Sequence, residues 1–106
     1  MSEIKNTYLE FDLNNGETID LTLTFGKLNV LKSLNNELYT RFNSVLYGKS
    51  EDMMDLVAIV YVAYWCANYS MSGDKLYTEQ EFIELVPFDM NKLKEVFTSL
   101  TQPKKK

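Results

Sequence analysis

The stretch EDMMDLVAIVYVAYWCANY, residues 51–69, decides how this chain folds. Within it Leu56 to Ala67 are twelve consecutive apolar residues, short of the roughly 20 that span a bilayer. The β-branched Val57, Ile59, Val60 and Val62 suit a strand as well as a helix. Three features decide for a helix over 51–69. Ser50 is a ready N-cap, Glu51, Asp52 and Asp55 place negative charge in the first turn, and the segment is far longer than a usual strand. Apolar on nearly every side, such a helix is buried on most of its faces.

Upstream, Leu28, Leu31, Leu34, Leu38, Phe42 and Val45 recur every three or four residues, which predicts one amphipathic helix over 27–47, ended by Gly48. Before it the period is two: Leu9, Phe11 and Leu13, then Ile19, Leu21, Leu23 and Phe25. This predicts a β-hairpin over 7–25 with Asn14-Asn15-Gly16 at its turn. A two-residue Asn-Gly loop would set Phe11 against Asp20. A three-residue loop with Gly16 in the left-handed region pairs Phe11 with Ile19 and Leu9 with Leu21, giving one apolar face, and is preferred.

Downstream, Ser70 to Lys75 reads as a surface loop around Gly73 and Asp74. Thr78 and Glu81 form a capping box with Tyr77 and Phe82 as its hydrophobic staple, opening a short helix over 79–86 that Pro87 ends. Asp89 caps a last helix over 90–101, with Phe88 and Leu93 as a second staple and Met90, Leu93, Phe97 and Leu100 as the buried stripe. The fold class expected is α+β, mainly α: an N-terminal hairpin and a compact bundle of about four helices, two long and two short. Residues 1–102 form a single domain and 103–106 a disordered basic tail.

The chain has 106 residues, a net charge of −4, no His and one Cys. Lys104 to Lys106 carry three of the eleven positive charges, so the rest stands at −7. Such a surface repels phosphate, and neither nucleic acid nor a membrane is expected as partner. Without His the commonest general base and metal ligand is missing, and Cys66 alone makes neither a disulfide nor a structural zinc site. The opening MSEIKNTYLEF lacks the pattern of a secretory signal, and a cytoplasmic protein is expected.

The carboxylate clusters are the remaining candidates for chemistry. Asp52 and Asp55, with Glu51, share a helical turn and could touch a divalent cation; a favourable first-turn charge set is the simpler account. Glu79, Glu81 and Glu84 read the same way. Cys66, between Trp65 and Ala67, reads as a buried structural thiol. Phosphate-binding glycine loops and nucleophile-elbow motifs are absent. Neither a catalytic site, a cofactor nor a metal is expected, and the chain reads as a non-enzyme.

Aromatic residues are plentiful, with seven Tyr, six Phe and one Trp. On the central helix, Tyr61, Trp65 and Tyr69 are expected on one side and Tyr64 elsewhere. One long helix, two short ones and a hairpin offer limited cover, so a partner chain is expected to cover part of this helix. Tyr61, Tyr64, Trp65, Tyr69, Met71, Phe97 and Leu100 are the candidate partner or self-association surface.

The order of parts, with TFGKLNVLKSL (24–34), EDMMDLVAIVYVAYWCA (51–67) and TEQEFIELVPFDMNKLKEVFTSL (78–100), resembles the tail assembly chaperones of long-tailed bacteriophages infecting Gram-positive bacteria. The resemblance spans nearly the whole chain and rests on element order and the strand, Phe-Gly, leucine-helix junction. It implies binding without catalysis: the tape measure protein as client, recruitment of tail tube protein, weak self-association, and action in the host cytoplasm but absence from the mature virion. It also implies a longer frameshifted product, for which the codons of Lys104 to Lys106 would supply the adenine run. The alternative from another class is a small acidic adaptor or inhibitor, of phage or bacterial origin, that binds one folded cellular protein.

Overall fold

In a computed structural model, which describes residues 8–48, 52–69 and 76–101, Gly16 has φ 91° and turns the N-terminal hairpin. Leu13 N–H donates to Glu17 O at 2.8 Å and Gly16 N–H to Leu13 O at 3.1 Å, which closes the three-residue loop. The strands β1 (Leu9–Asp12) and β2 (Thr18–Leu21) pair antiparallel with Phe11 opposite Ile19 and Leu9 opposite Leu21, the expected register. Phe11, Ile19 and Leu21 are buried together on the inner face. The strands are shorter than the expected 7–25 span. Thr24 accepts from Lys27 N–H at 3.2 Å and caps a helix that begins at Phe25, so Phe25 belongs to a helix and stands exposed.

The single helix expected over 27–47 is two: α1 (Phe25–Leu34) and α2 (Asn36–Gly48). Asn35, with φ −147° and ψ 76°, breaks the run. Its N–H donates to Leu31 O at 2.7 Å while its Oδ1 accepts from Leu38 N–H at 3.2 Å, ending one helix and opening the next. The break shifts the phase of the stripe: Leu31, Leu38, Phe42 and Val45 are buried, but Leu34 is exposed.

The central helix α3 spans Met53–Asn68, inside the expected 51–69, and Asp52 is its N-cap, accepting from Met54 N–H at 2.8 Å. Ser50, expected in that role, lies outside the described residues, as do the loop at 70–75 and the tail at 103–106. α4 (Glu79–Leu85) has the full Thr78–Glu81 capping box, and α5 (Met90–Thr101) is capped by Asp89, whose Oδ1 accepts from Lys92 N–H at 3.1 Å. Phe88 is exposed and staples nothing; the face α5 buries is centred on Leu93 and Val96, with Met90, Phe97 and Leu100 half-buried beside them.

The fold is thus α+β and mainly α: among the described residues, a two-stranded hairpin is followed by five helices where about four were expected. One cluster of buried side chains draws on the hairpin and every helix. α3 is its axis, packed by β2, α1, α2, α4 and α5, and every residue from Leu56 to Tyr64 is buried. At Ala63 the side chain is one methyl group, and there Thr22 N–H of the hairpin donates to the helix carbonyl at 3.2 Å. Among the described residues, no helix is long and apolar enough to cross a membrane.

Candidate partner-binding surface

Tyr61 and Tyr64, one helical turn apart on α3, turn inward. Their rings lie 5.3 and 5.1 Å from that of Phe82 on α4, and both are more than nine-tenths buried. Tyr61 Oη donates to Tyr77 O at 2.9 Å and Tyr64 Oη accepts from Tyr77 N–H at 2.9 Å. Both polar groups of one residue's backbone, just before α4, are therefore satisfied by side chains of α3. Burial, with Glu79 nearby, pushes the Tyr61 phenol up to about 12, and burial raises Tyr64 as well.

The hairpin turn holds both ends of α4. At the start, Tyr77 Oη donates to Glu17 Oε1 at 2.6 Å and accepts from Asn15 Nδ2 at 3.3 Å; the hydrogen bond to Glu17 raises the Tyr77 phenol. At the end, Asn14 N–H donates to Leu85 O at 2.8 Å and Asn14 Nδ2 to Val86 O at 3.3 Å, satisfying carbonyls the short helix leaves open. Tyr77 and Phe82, the expected staple, both lie against the Tyr64 ring.

Trp65 and Tyr69 form a separate pair, stacked at 4.4 Å and half-buried at the end of α3. No basic residue stands in the last turn of α3, and Lys27 of α1 fills that place, its Nζ donating to Tyr69 O at 3.2 Å. The expected grouping of Tyr61 with Trp65 and Tyr69 is therefore corrected: Tyr61 pairs with Tyr64 inside, and Trp65 with Tyr69 at the rim. Of the seven candidate surface residues, Tyr61 and Tyr64 are internal. Trp65, Tyr69, Phe97 and Leu100 are half-exposed, and Met71 lies outside the described residues. Nor does α3 await a partner's cover along its buried length, since the chain's own hairpin and helices supply it.

The exposed large apolar residues are others: Tyr8, Phe25, Leu34, Tyr47, Met54 and Phe88. All sit at or beside the ends of elements. The signals that could have marked them are the Thr24 cap for Phe25, the Asn35-Asn36 pair for Leu34, and Pro87 beside Phe88.

Of the acidic clusters, Glu51 lies outside the described residues, and other members are engaged structurally. Asp52 caps α3, Glu81 completes the capping box, and Glu79 forms an ion pair with Arg41 of α2. Among the described residues, no three Asp, Glu, Cys or His side chains converge on a point where a metal ion would fit. Cys66 is buried, and burial pushes its thiol up to about 11, away from the thiolate needed for nucleophilic chemistry. A shallow depression of about 580 Å³ along the outer face of α5 is lined by polar residues such as Asp89, Lys92, Glu95 and Ser99, without the apolar residues typical of small-molecule sites. No protein-family model, curated protein or solved structure matches the chain.

Proposed function

We propose that the protein is a non-catalytic tail assembly chaperone of a long-tailed bacteriophage, binding and solubilising the tape measure protein and helping to recruit tail tube subunits. The observation that carries this reading is the set of large apolar side chains standing exposed on an acidic body, Phe25 at 91%, Phe88 at 88% and Tyr47 at 82%. Single apolar contacts at element ends are weak and replaceable, which suits a helical client that must later be handed over. The net negative charge keeps the complex in solution. Weak self-association through the same side chains, and work in the bacterial cytoplasm without a place in the mature virion, belong to the same proposal.

Co-expression with a tape measure fragment that is insoluble alone is the test. A soluble complex of the two is the expected outcome. A fragment that stays insoluble and unbound overturns the reading.

A further inference from the structure

β1 has β2 as its only strand neighbour among the described residues, so the hairpin has two edges. The edge of β2 is covered by α3, because Asp20 O accepts from Asn68 Nδ2 at 3.2 Å and Thr22 N–H donates to Ala63 O at 3.2 Å. Among the described residues, no strand pairs with the other edge of β1 and no backbone hydrogen bond reaches it. The Leu13–Glu17 hydrogen bond fixes the alternation, so Leu9 and Phe11 turn their peptide groups toward β2, while Glu10 and Asp12 turn theirs outward.

The same two residues carry exposed carboxylates, and Glu10 stands directly opposite Asp20 in a non-hydrogen-bonded pair, where cross-strand side chains come closest. Like charges in that position repel. Among the described residues, no lysine or arginine makes an ion pair with Glu10, Asp12 or Asp20. On the inner face, Phe11 is fully buried in the core, and half-buried Leu9 is the apolar side chain left partly uncovered at the edge.

We propose that the edge of β1 away from β2 receives an extended segment of another protein in which lysine or arginine alternates with apolar residues. Basic side chains of the incoming strand lie beside Glu10 and Asp12 and relieve the repulsion between Glu10 and Asp20, while Asp12 keeps the hydrogen bond it accepts from Thr18 Oγ1 at 2.7 Å; its apolar side chains pack beside Leu9. Backbone hydrogen bonds to Glu10 and Asp12 supply the attachment. A second copy is a poor occupant, because pairing β1 with β1 brings four carboxylates onto one edge. This inference stands apart from the tail-assembly reading, and either can fail alone.

The test is titration of the intact protein with a synthetic peptide of alternating lysine and valine, with alternating glutamate and valine as the control, followed by amide NMR and hydrogen exchange. The basic peptide is expected to bind and to slow exchange at Glu10 and Asp12, and the acidic peptide is not. Combining Glu10→Lys with Asp12→Lys is expected to weaken binding of the basic peptide by about tenfold or more and to admit the acidic one. Because this exposed pair lies outside the core, the variant's fold is checked by its unchanged amide spectrum elsewhere. A backbone N-methylated form of the basic peptide separates strand pairing from charge attraction and is expected not to bind. Absence of binding, protection centred on other residues, equal affinity for both peptides, or undiminished binding of the methylated form would each overturn the proposal.

Discussion

Tyr61 and Tyr64 show what a single hydroxyl contributes once it is buried. Tyr64 Oη is the acceptor for Tyr77 N–H, so Tyr64→Phe leaves that donor without a partner while changing little else. Its expected cost is about 1–2 kcal/mol in urea denaturation. Alkaline pH gives a second prediction. The Tyr61 phenol, ordinarily near 10, is pushed up to about 12 by burial, so the unfolded chain loses that proton before the folded one does. Its contribution to stability is whole below pH 10 and disappears as pH rises from 10 through about 12. Thermal unfolding followed across that range is expected to show a steeper decline for the native chain than for Tyr61→Phe. The identity of these tyrosines was plain in the sequence, but their inward direction was not, because a helix apolar all round has no periodic signal to orient it.

Asn35 governs the largest departure at the scale of elements. It serves α1 through its N–H and α2 through its side chain, so Asn35→Ala removes the cap that receives Leu38 N–H. The expected loss is about 1 kcal/mol by urea denaturation, largely restored in Asn35→Asp, which keeps an acceptor oxygen. The leucines alone conceal this break. Leu28, Leu31, Leu34 and Leu38 continue a helical spacing through it, and neither Gly nor Pro marks the spot. The hairpin turn and the capping box, by contrast, were legible to the residue. Gly16 at φ 91° and Thr78 with Glu81 act through backbone bonds within a few residues, and local chemistry of that kind is written in local sequence.

For the whole molecule, the exposed apolar residues separate stability from function. Combining Phe25→Ser, Tyr47→Ser and Phe88→Ser removes three large side chains that the core does not use. The melting temperature is expected to move little, as is usual for surface positions, while solubilisation of a tape measure fragment falls; calorimetry and the co-expression assay check the two halves. The candidate surface was only partly legible for the same reason that the core was: apolar character marks a residue as able to bury, without saying against what. By itself the sequence determined the hairpin register, the caps of the last two helices and the central place of 51–69, since alternation, turn chemistry and a long apolar run are all short-range properties. Only the tertiary structure decided that α3 is enclosed by its own chain, that Tyr61 and Tyr64 face inward, and that one edge of β1 has no strand partner among the described residues. These depend on which distant segments meet, and packing in a close-fitted core sets that for all of them together.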